Sequence, residues 1–256
     1  MASSIIAIVN QKGGVGKTTT AINLSSYLSE KGYRTLLIDF DPQANATSGI
    51  GIKQEAIKHT VYALLVDPEK LKDVLYPTPF DGLHIIPSGR DLAGAEIELV
   101  SCDSRETILK HRVAPLKKYY DFIIIDCPPS LGLLTVNALV AADRAIIPAQ
   151  CEYFALEGLA GLMDTVRLIQ EGYNANLKIA GILLTMFDKR TALNRQVVQN
   201  ARDFFKELIF DTIIPRNVRL TEAPSHGLPI ALYNPYSKGA GAYYQLSQEV
   251  IERVRY

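Results

Sequence analysis

The chain has 256 residues, of which 48% are hydrophobic and 21% are charged, a composition typical of a globular protein. Its 27 Lys and Arg balance 27 Asp and Glu, so the molecule as a whole is not a polycation, and any contact with nucleic acid has to come from a local patch. Cys102, Cys127 and Cys151 form no CxxC pair, which argues against a disulfide framework and against a zinc or iron–sulfur site within one chain. No apolar stretch approaches the ~20 residues that span a bilayer, and the N-terminal apolar run lacks the basic segment of a signal peptide. We therefore expect a cytoplasmic protein.

Short β-branched runs alternate with helical patterns along almost the whole chain. The predicted strands are residues 5–9, 35–38, 83–86, 122–125, 145–148, 179–184 and 212–214, and the predicted helices are residues 18–30, 133–142, 156–170, 194–206 and 242–255. Such alternation is typical of right-handed βαβ units, so we predict an α/β fold in which a mostly parallel β-sheet is flanked by helices on both faces. No linker rich in Gly, Ser or Pro divides the chain, and we expect residues 1–256 to form a single domain.

A glycine-rich segment, QKGGVGKTT at residues 11–19, lies between the first predicted strand and the first predicted helix. A loop in that position can wrap a phosphate chain with its backbone N–H groups, and glycines let it fold tightly around the anion. Lys17 is placed to reach the β- and γ-phosphates, and the Thr18 hydroxyl is placed to ligate Mg²⁺. The usual P-loop has a glycine five residues before Gly16, where this chain has Gln11 followed by a second lysine, Lys12. The segment therefore predicts a P-loop NTPase site with an unusual Walker A motif.

Aspartates follow two of the predicted strands, at the edge of the sheet where ligands bind in parallel α/β folds. Asp126 closes the apolar run at residues 122–125, which is the Walker B pattern, and its carboxylate is expected to hold Mg²⁺ directly or through water. Asp39 and Asp41 lie two residues apart, so they point the same way if the second strand continues through them. One of them is then placed to orient an attacking water, and the other to support the metal shell. Together with the P-loop, these carboxylates predict hydrolysis of a nucleoside triphosphate.

Several motifs carry a resemblance to a known family. The segments KGGVGKT at 12–18, DFDPQ at 39–43 and DCPP at 126–129 resemble those of the deviant-Walker ATPases, the ParA/MinD superfamily. Further segments resemble chromosomal ParA proteins, also called Soj, in particular: QANATSG at 43–49, QCEYFALEG at 150–158, IPRNVRL at 214–220 and EAPSHG at 222–227. The resemblance extends over nearly the whole chain.

The resemblance implies an ATP-dependent switch. Proteins of this family bind ATP with Mg²⁺, pair into a nucleotide-sandwich homodimer and, in that state, bind double-stranded DNA without strong sequence preference. A ParB-type partner then stimulates slow ATP hydrolysis and releases the dimer from DNA. The cycle segregates chromosomes or plasmids, so the resemblance implies a nucleoid-associated protein.

The resemblance also assigns roles to individual residues. Lys12 would reach across the dimer to the partner's phosphates, where a cation supplied in trans stabilises the transferred phosphoryl group as an arginine finger does. Asp41 would orient the attacking water, acting with Lys12 and Lys17 in catalysis, and Asp39 would support the switch region beside the metal. The ATP contacts would be Lys12, Gly13, Gly14, Val15, Gly16, Lys17, Thr18 and Thr19, with Pro215 and Asn217 at the adenine, and the metal contacts would be Thr18, Asp39 and Asp126.

A basic segment is the candidate DNA surface. Residues 186–220 contain seven Lys and Arg against four Asp and Glu, a balance of +3, and four polar or basic positions recur on one face of the predicted helix 194–206 (Arg195, Gln199, Arg202, Lys206). From charge alone, a solvated helix face accounts for this pattern. The resemblance favours DNA binding through sequence-independent phosphate contacts, with Arg190 and Arg219 as the first candidates and Lys189, Arg195 and Arg202 as further ones.

Three other functions share parts of these motifs. A MinD-like ATPase that cycles on the membrane is the nearest, but MinD relatives end in a basic amphipathic helix, whereas residues 241–256 carry two acidic and two basic residues, so we expect no stable membrane association. A nitrogenase-iron-protein-like reductase needs cysteines in each subunit to bind its iron–sulfur cluster. Cys127 directly follows Asp126, a position that favours packing in the protein interior over cluster binding. A bacterial tyrosine kinase carries a terminal tyrosine cluster, whereas the 13 tyrosines here are dispersed.

The first strand starts so early that we expect no helix-turn-helix domain before it, which also favours non-specific DNA binding.

Overall fold

The computed structural model describes residues 3–255, apart from the side chains of residues 153–157 and 255. The side chains in the middle of the motif at 150–158, and the first two residues and the last residue of the predicted domain, therefore lie outside the described part.

Within that part, one sheet contains seven strands: β1 Ser4–Ile8, β2 Thr35–Asp39, β3 Tyr76–Pro77, β4 Leu83–Ile86, β5 Phe122–Asp126, β6 Arg144–Gln150 and β7 Lys178–Thr185. Their spatial order is β3-β4-β2-β5-β1-β6-β7. All neighbouring pairs are parallel except β3 with β4, which is antiparallel. The prediction of a mostly parallel sheet is confirmed.

Helices cover both faces of this sheet. They are α1 Lys17–Glu30, α2 Asn45–Gly49, α3 Val61–Val66, α4 Leu92–Glu98, α5 Ile108–Val113, α6 Leu133–Ala141, α7 Tyr153–Gly172, α8 Ala192–Phe205, α9 Val218–Glu222, α10 Ile230–Tyr233 and α11 Lys238–Arg255. Short 3-10 turns connect or extend them at Gln54–Ala56, Pro68–Lys72, Leu99–Ser101, Arg105–Thr107, Ala114–Lys118, Lys206–Leu208 and Ala223–His226. No helix in the described range is both long enough and apolar enough to cross a membrane.

Period-two alternation in the strands explains how both faces are filled. In β5, Ile123 and Ile125 belong to a core shared with residues of α3 to α8. Phe122 and Ile124 point to the opposite core, which includes residues of α1, α2, α9, α10 and α11. Because successive side chains of a strand point to opposite faces, an uninterrupted apolar run is what a central strand covered on both sides requires.

Two parts of the sheet differ from the sequence prediction. No regular strand forms at the predicted residues 212–214. The Ile214 N–H donates to Leu184 O of β7 at 2.9 Å, but the Thr212 N–H donates to the Glu249 carboxylate at 3.0 Å, which interrupts the pairing with β7. Only isolated bridges flank that segment. The short β3 was not predicted, and it contains Pro77, which an edge strand tolerates because its N–H is not needed for pairing.

The register of the central strands positions the candidate site. Asp39 at the end of β2 pairs with Asp126 at the end of β5, and Ile8 at the end of β1 also pairs with Asp126. The carboxyl ends of β1, β2 and β5 therefore meet at one edge, where ligands bind in open parallel sheets.

Candidate nucleotide-binding site

The glycine-rich loop connects β1 to α1, as its sequence indicates. Gly14 has φ of 73° and Gly16 has φ of 91°, in the left-handed region that glycine enters without a Cβ penalty. Gly16 is the N-cap residue of α1, and no side chain caps that helix end. The first N–H groups of a 14-residue helix are thus available to an anion, where the helix dipole also favours negative charge.

Lys17 is held inside this loop. Its side chain is 6% exposed, and Nζ donates to the carbonyl oxygen of Lys12 at 3.0 Å. Burial lowers the pKa of Lys17, while the neighbouring Asp126 opposes that shift. A partly desolvated ammonium group with carboxylates nearby is well placed to accept a phosphate as an additional counter-charge.

Asp126 is fully buried, yet neither of its carboxylate oxygens makes a hydrogen bond of ordinary geometry to the described residues. Burial raises its pKa well above the usual value, with a further contribution from Asp39, whereas the nearby Thr18 hydroxyl and Lys17 lower it. A buried acid without a partner is costly, and a cation removes that cost.

The donor set around Asp126 fits Mg²⁺ bound together with phosphates. The described residues contain no group of three or more His, Cys, Asp or Glu that could hold a metal ion. Mg²⁺ commonly binds through one or two carboxylates, substrate phosphates and water, so a complete protein cage is not required. Asp126 and Thr18 are the residues that would hold it.

Asp39 and Asp41 have different surroundings. Asp39 is fully buried, and its Oδ2 accepts hydrogen bonds from the Thr47 N–H and hydroxyl, both at 2.7 Å. Its Oδ1 accepts from the N–H of Asp41 at 3.2 Å. Burial raises the pKa of Asp39 to about 6, against which the Thr47 hydrogen bonds act. A metal contact by Asp39 stays a prediction, and this geometry does not favour it, because protein donors already occupy both carboxylate oxygens. The hydrogen bonds to Asp39 instead hold the segment from Asp41 to Thr47 against the end of β2.

Asp41 lies at the cavity, since β2 ends at Asp39 and the chain turns there. Its Oδ1 accepts the N–H of Gln43 at 2.9 Å, and among the described residues no donor reaches its Oδ2. The expectation that Asp39 and Asp41 point the same way assumed that the strand continued, which it does not.

A cavity of about 640 Å³ extends from the P-loop to the segment that precedes α9. Its lining includes the following residues of the sequence prediction: Gly13, Gly14, Gly16, Lys17, Thr18, Thr19, Asp41, Pro215 and Asn217. Val15 is buried beneath the loop, and Lys12 is exposed outside the lining. The fold therefore joins the phosphate loop to the two residues expected at the adenine, about 200 residues further along the chain.

Other lining residues were not predicted as site residues. They include Gln43, Asn45, Thr185, Met186, Pro224 and Tyr243. The hydroxyl groups of Tyr243 and Thr20 lie 3.1 Å apart, which ties α11 to α1 beneath the cavity. No local pattern marks Tyr243, because only the packing of α11 on α1 brings it to the site.

Lys12 contacts its own chain. Its Nζ lies 3.0 Å from Glu152 Oε2 and 3.2 Å from Gln150 Oε1. The Gln150 side-chain amide also donates to the Gly14 carbonyl at 2.9 Å. The end of β6 and the start of α7 thus hold both the unusual lysine and the loop that contains it.

The candidate DNA residues lie in the loop after β7, in α8 and in α9, and backbone hydrogen bonds connect the loop to the chain that leads into α9. The N–H of Phe187 donates to Ile214 O and that of Arg216 donates to Phe187 O, at 3.1 and 3.0 Å, so the loop after β7 is joined to the segment before α9. Arg190 and Arg219 project from these two segments, and Lys189, Arg195 and Arg202 are exposed nearby in sequence. The predicted four-residue face loses Lys206, because α8 ends at Phe205 and Lys206 has φ of 48°.

Both first candidates form ion pairs with acidic neighbours. Arg190 Nη2 lies 2.7 Å from Asp188 Oδ2, and Arg219 Nη1 lies 2.7 Å from Glu222 Oε2. Hydrogen bonds from Arg190 lower the pKa of Asp188 to about 2, and those from Arg219 lower the pKa of Glu222. The number of acidic and basic residues in this part of the sequence did not predict which of them form ion pairs.

The cysteines have the surroundings of packing residues. Cys127 and Cys151 are buried and Cys102 is exposed, and none is bonded to another. Burial raises the pKa of the Cys127 thiol, and it raises that of Cys151 to about 12. Neutral, separated thiols of this kind do not form a cluster site within one chain.

The chain is similar over most of its length to several known proteins. A family model described as an AAA domain matches residues 3–179. The chain is 55% identical over 246 residues to the sporulation initiation inhibitor protein Soj of Bacillus subtilis, covering 96% of this chain and 97% of that protein. It is 54% identical over 249 residues to the chromosome partitioning protein ParA of Myxococcus xanthus, covering 97% and 88%. A solved structure of cobyrinic acid a,c-diamide synthase from Mycobacterium smegmatis with bound ATP analog and magnesium is similar with a TM-score of 0.86 at 35% identity, covering 99% of this chain and 96% of that one.

Proposed function

The chain belongs to the ParA/Soj family of chromosome-partitioning ATPases, and from this premise we propose that it is an ATP-timed dimer switch for segregating a chromosome or plasmid. In the proposed cycle, ATP and Mg²⁺ join two copies into a sandwich dimer, the dimer binds double-stranded DNA without sequence preference, and a ParB-type partner stimulates slow hydrolysis that releases it. The observation that carries this proposal is the buried carboxylate of Asp126, which lies beside Lys17 and Thr18 and makes no hydrogen bond of ordinary geometry to the residues that the structure describes.

The residues around the cavity divide the work of hydrolysis. Mg²⁺, when bound by Asp126 and Thr18, supplies charge neutralisation at the β- and γ-phosphates. Lys17 and the N–H groups of the P-loop bind and orient the phosphates. Asp41 lines the cavity with one oxygen already held by the Gln43 N–H, so the other is free to accept a hydrogen bond from the attacking water.

Lys12 supplies the second half of the site from the other subunit. It is 44% exposed and its ion-pair partner Glu152 is 53% exposed, and such exposed pairs stabilise a fold only weakly. A phosphate of the partner's ATP carries more charge than a carboxylate and can therefore attract Lys12 away from Glu152. This exchange makes dimerisation depend on the γ-phosphate.

DNA binding follows from the exposed basic residues of the two connected segments. Arg190 and Arg219, with Lys189, Arg195 and Arg202 as further contacts, provide phosphate contacts that depend on salt and not on sequence. Dimerisation doubles this surface, so the affinity for DNA rises steeply when ATP joins two chains.

A cytoplasmic, nucleoid-associated location without stable membrane association is favoured over a MinD-like membrane cycle. The apolar face of α11 is used inside the protein, since Leu246 and Val250 are fully buried in the core. Arg253 of the same helix donates to Ala180 O and Ile209 O and pairs with Glu249. An amphipathic helix needs a free apolar face to bind a bilayer, and α11 does not offer one in this arrangement.

Size-exclusion chromatography of Asp41→Ala with ATP, with and without DNA, tests the proposal. Without the water-orienting carboxylate, the variant is expected to bind ATP, accumulate as a dimer and co-elute with DNA. Lys17→Ala serves as the control that should remain monomeric and off DNA. A monomeric Asp41→Ala protein that does not retain DNA would contradict the sandwich-dimer mechanism.

A further inference from the structure

The outer face of α4 is apolar and uncovered. Ala93, Ile97 and Val100 recur at the i, i+4, i+7 spacing that places side chains on one side of a helix, and the 3-10 turn Leu99–Ser101 continues α4 directly. Ile97 is 79% exposed and Val100 is 56% exposed. The opposite side of the same helix already fills the core through Leu92, Ala95 and Leu99. We call Ala93, Ile97 and Val100 the α4 outer face.

The surroundings of the α4 outer face carry a net negative charge. Residues 91–104 contain four acidic residues and no Lys or Arg (Asp91, Glu96, Glu98, Asp103). Glu98 accepts a hydrogen bond from the Tyr62 hydroxyl at 2.7 Å, and Asp91 accepts one from Thr60 at 2.6 Å. These donors are neutral, and in the described part of the chain none of the four carboxylates forms an ion pair. Arg90 and Arg105 flank this window, and Arg105 pairs with Glu106 while donating to the Val100 carbonyl at 2.8 Å. The net charge around the apolar stripe is therefore still negative, at −3 over residues 90–106 with five acidic and two basic residues.

We propose that the α4 outer face is the docking site for a basic amphipathic helix of a partner protein. An apolar stripe on that helix would cover Ile97 and Val100, while lysines or arginines beside the stripe would face the four carboxylates. The same charge repels DNA and anionic membranes, so a basic polypeptide is the occupant that the charge pattern selects. The surface is distinct from the basic segments that contain Arg190 and Arg219.

A docked helix would lie next to the loop that follows Asp126. Glu96 Oε1 lies so close to Gly132 that no Cβ would fit at that position without displacing it. In the same loop, Pro129 lines the nucleotide cavity, and its Cβ is 3.9 Å from where a Cβ of Gly13 would be. A helix that neutralises or moves Glu96 therefore acts one loop away from the P-loop. This effect on ATP hydrolysis rests on the proposed function, whereas the docking does not.

A labelled synthetic peptide of about 18 residues tests the docking directly. It would be built from Leu, Ala and Lys, with leucines at i, i+4, i+7 spacing and lysines beside them. A permuted peptide of identical composition, without an apolar face, is its control. Fluorescence anisotropy with the full chain, without nucleotide or DNA, measures both affinities. We expect the amphipathic peptide to bind at least about tenfold more tightly than the permuted one.

Matched variants locate the site. Ile97→Ser with Val100→Ser should weaken peptide binding about tenfold, while Leu168→Ser, a change at an exposed leucine of α7 (62% exposed), should leave it unchanged. Glu96→Gln with Asp103→Asn should weaken binding and flatten its dependence on salt, whereas Glu69→Gln should do neither. Circular dichroism and thermal unfolding check that each variant is folded, and Ile97→Ala provides a milder second variant.

Three results would overturn the proposal. One is equal affinity of the chain for the amphipathic and permuted peptides. Another is an affinity for the amphipathic peptide that does not change when Ile97 and Val100 are replaced. The third is an absence of peptide binding combined with loss of ATP-dependent dimerisation in those variants, which would identify a second copy of this chain as the occupant. Failure of ATP hydrolysis or DNA binding with intact peptide binding would count against the proposed function and leave the docking site in place.

Discussion

The ammonium group of Lys12 lies 3.0 Å from the carboxylate of Glu152 in the same chain. The two residues are 140 positions apart in sequence, and their ion pair connects the P-loop to the start of α7. Glu152 is the negatively charged partner of Lys12 in the single chain. In the proposed dimer, a phosphate of the ATP bound to the second subunit would replace it. Dimerisation then exchanges one anionic partner of Lys12 for another.

Lys12→Gln should bind ATP but fail to dimerise. Lys17 and the loop N–H groups remain for phosphate binding, whereas the trans charge is lost, so partner-stimulated hydrolysis should fall about 100-fold. Analytical ultracentrifugation with ATP, together with a nucleotide-binding assay, separates the two effects. Lys70→Gln removes another ion-paired surface lysine and should behave as wild type. Normal dimerisation of Lys12→Gln would show that the lysine has no role across the interface.

Glu152→Gln should have the opposite effect on dimerisation. Removal of the carboxylate frees Lys12 at little cost in stability, because the pair is exposed, so the ATP concentration needed for half-maximal dimer should decrease. The same centrifugation series measures this shift. An unchanged midpoint would mean that Glu152 does not compete with ATP for Lys12.

Asp126→Asn should stabilise the nucleotide-free protein while abolishing its response to Mg²⁺ and ATP. The substitution removes a buried carboxylate that makes no hydrogen bond of ordinary geometry among the described residues. We expect this change to raise the free energy of unfolding by about 1 kcal/mol. Thermal unfolding with and without Mg²⁺ and ATP measures both quantities. Wild type should gain stability from the ligands, and the variant should not. A variant that is destabilised without ligand, or that keeps the Mg²⁺ response, would contradict the assignment of Asp126.

Arg219→Glu should abolish DNA retention without preventing ATP-dependent dimerisation. The change removes a phosphate contact from each half of the dimer and replaces it with a repulsive charge. DNA gel shifts at several salt concentrations, alongside size-exclusion chromatography with ATP, check the two properties. Unchanged DNA binding would remove the connected basic segments from the mechanism.

Asp188→Asn should increase the affinity for DNA about twofold to fivefold, because Arg190 no longer has a carboxylate that competes with DNA phosphate. Glu222→Gln should act in the same direction through Arg219. Asp203→Asn is the matched control: it makes the same charge change in α8, where the carboxylate contacts Gln199 and not an arginine. An equal gain in all three variants would indicate net charge alone, and it would rule out competition within the ion pairs.

Much of the fold and of the phosphate site was accessible from local sequence. The P-loop between β1 and α1, and the aspartate that closes β5, are marked within a few residues of chain, because backbone N–H groups, a lysine and a carboxylate must follow each other closely to hold phosphate and metal. Alternation of apolar runs likewise predicted the central strands, since period two and burial on both faces are local properties. The strand predicted at 212–214 was wrong, because the distant Glu249 accepts the Thr212 N–H and so interrupts the pairing of this segment with β7.

The partners of the site residues depended on folding. Glu152 beside Lys12, Thr47 around Asp39 and Tyr243 beneath the cavity come from elements that local patterns do not connect. The separation of Asp39 from Asp41 follows from where β2 ends, and the acidic partners of Arg190 and Arg219 follow from side-chain geometry at two turns. Residue type and spacing identify which chemistry is available, because that chemistry resides in short segments. Which charge faces which is set by packing across the sheet, because those contacts join residues far apart in the chain.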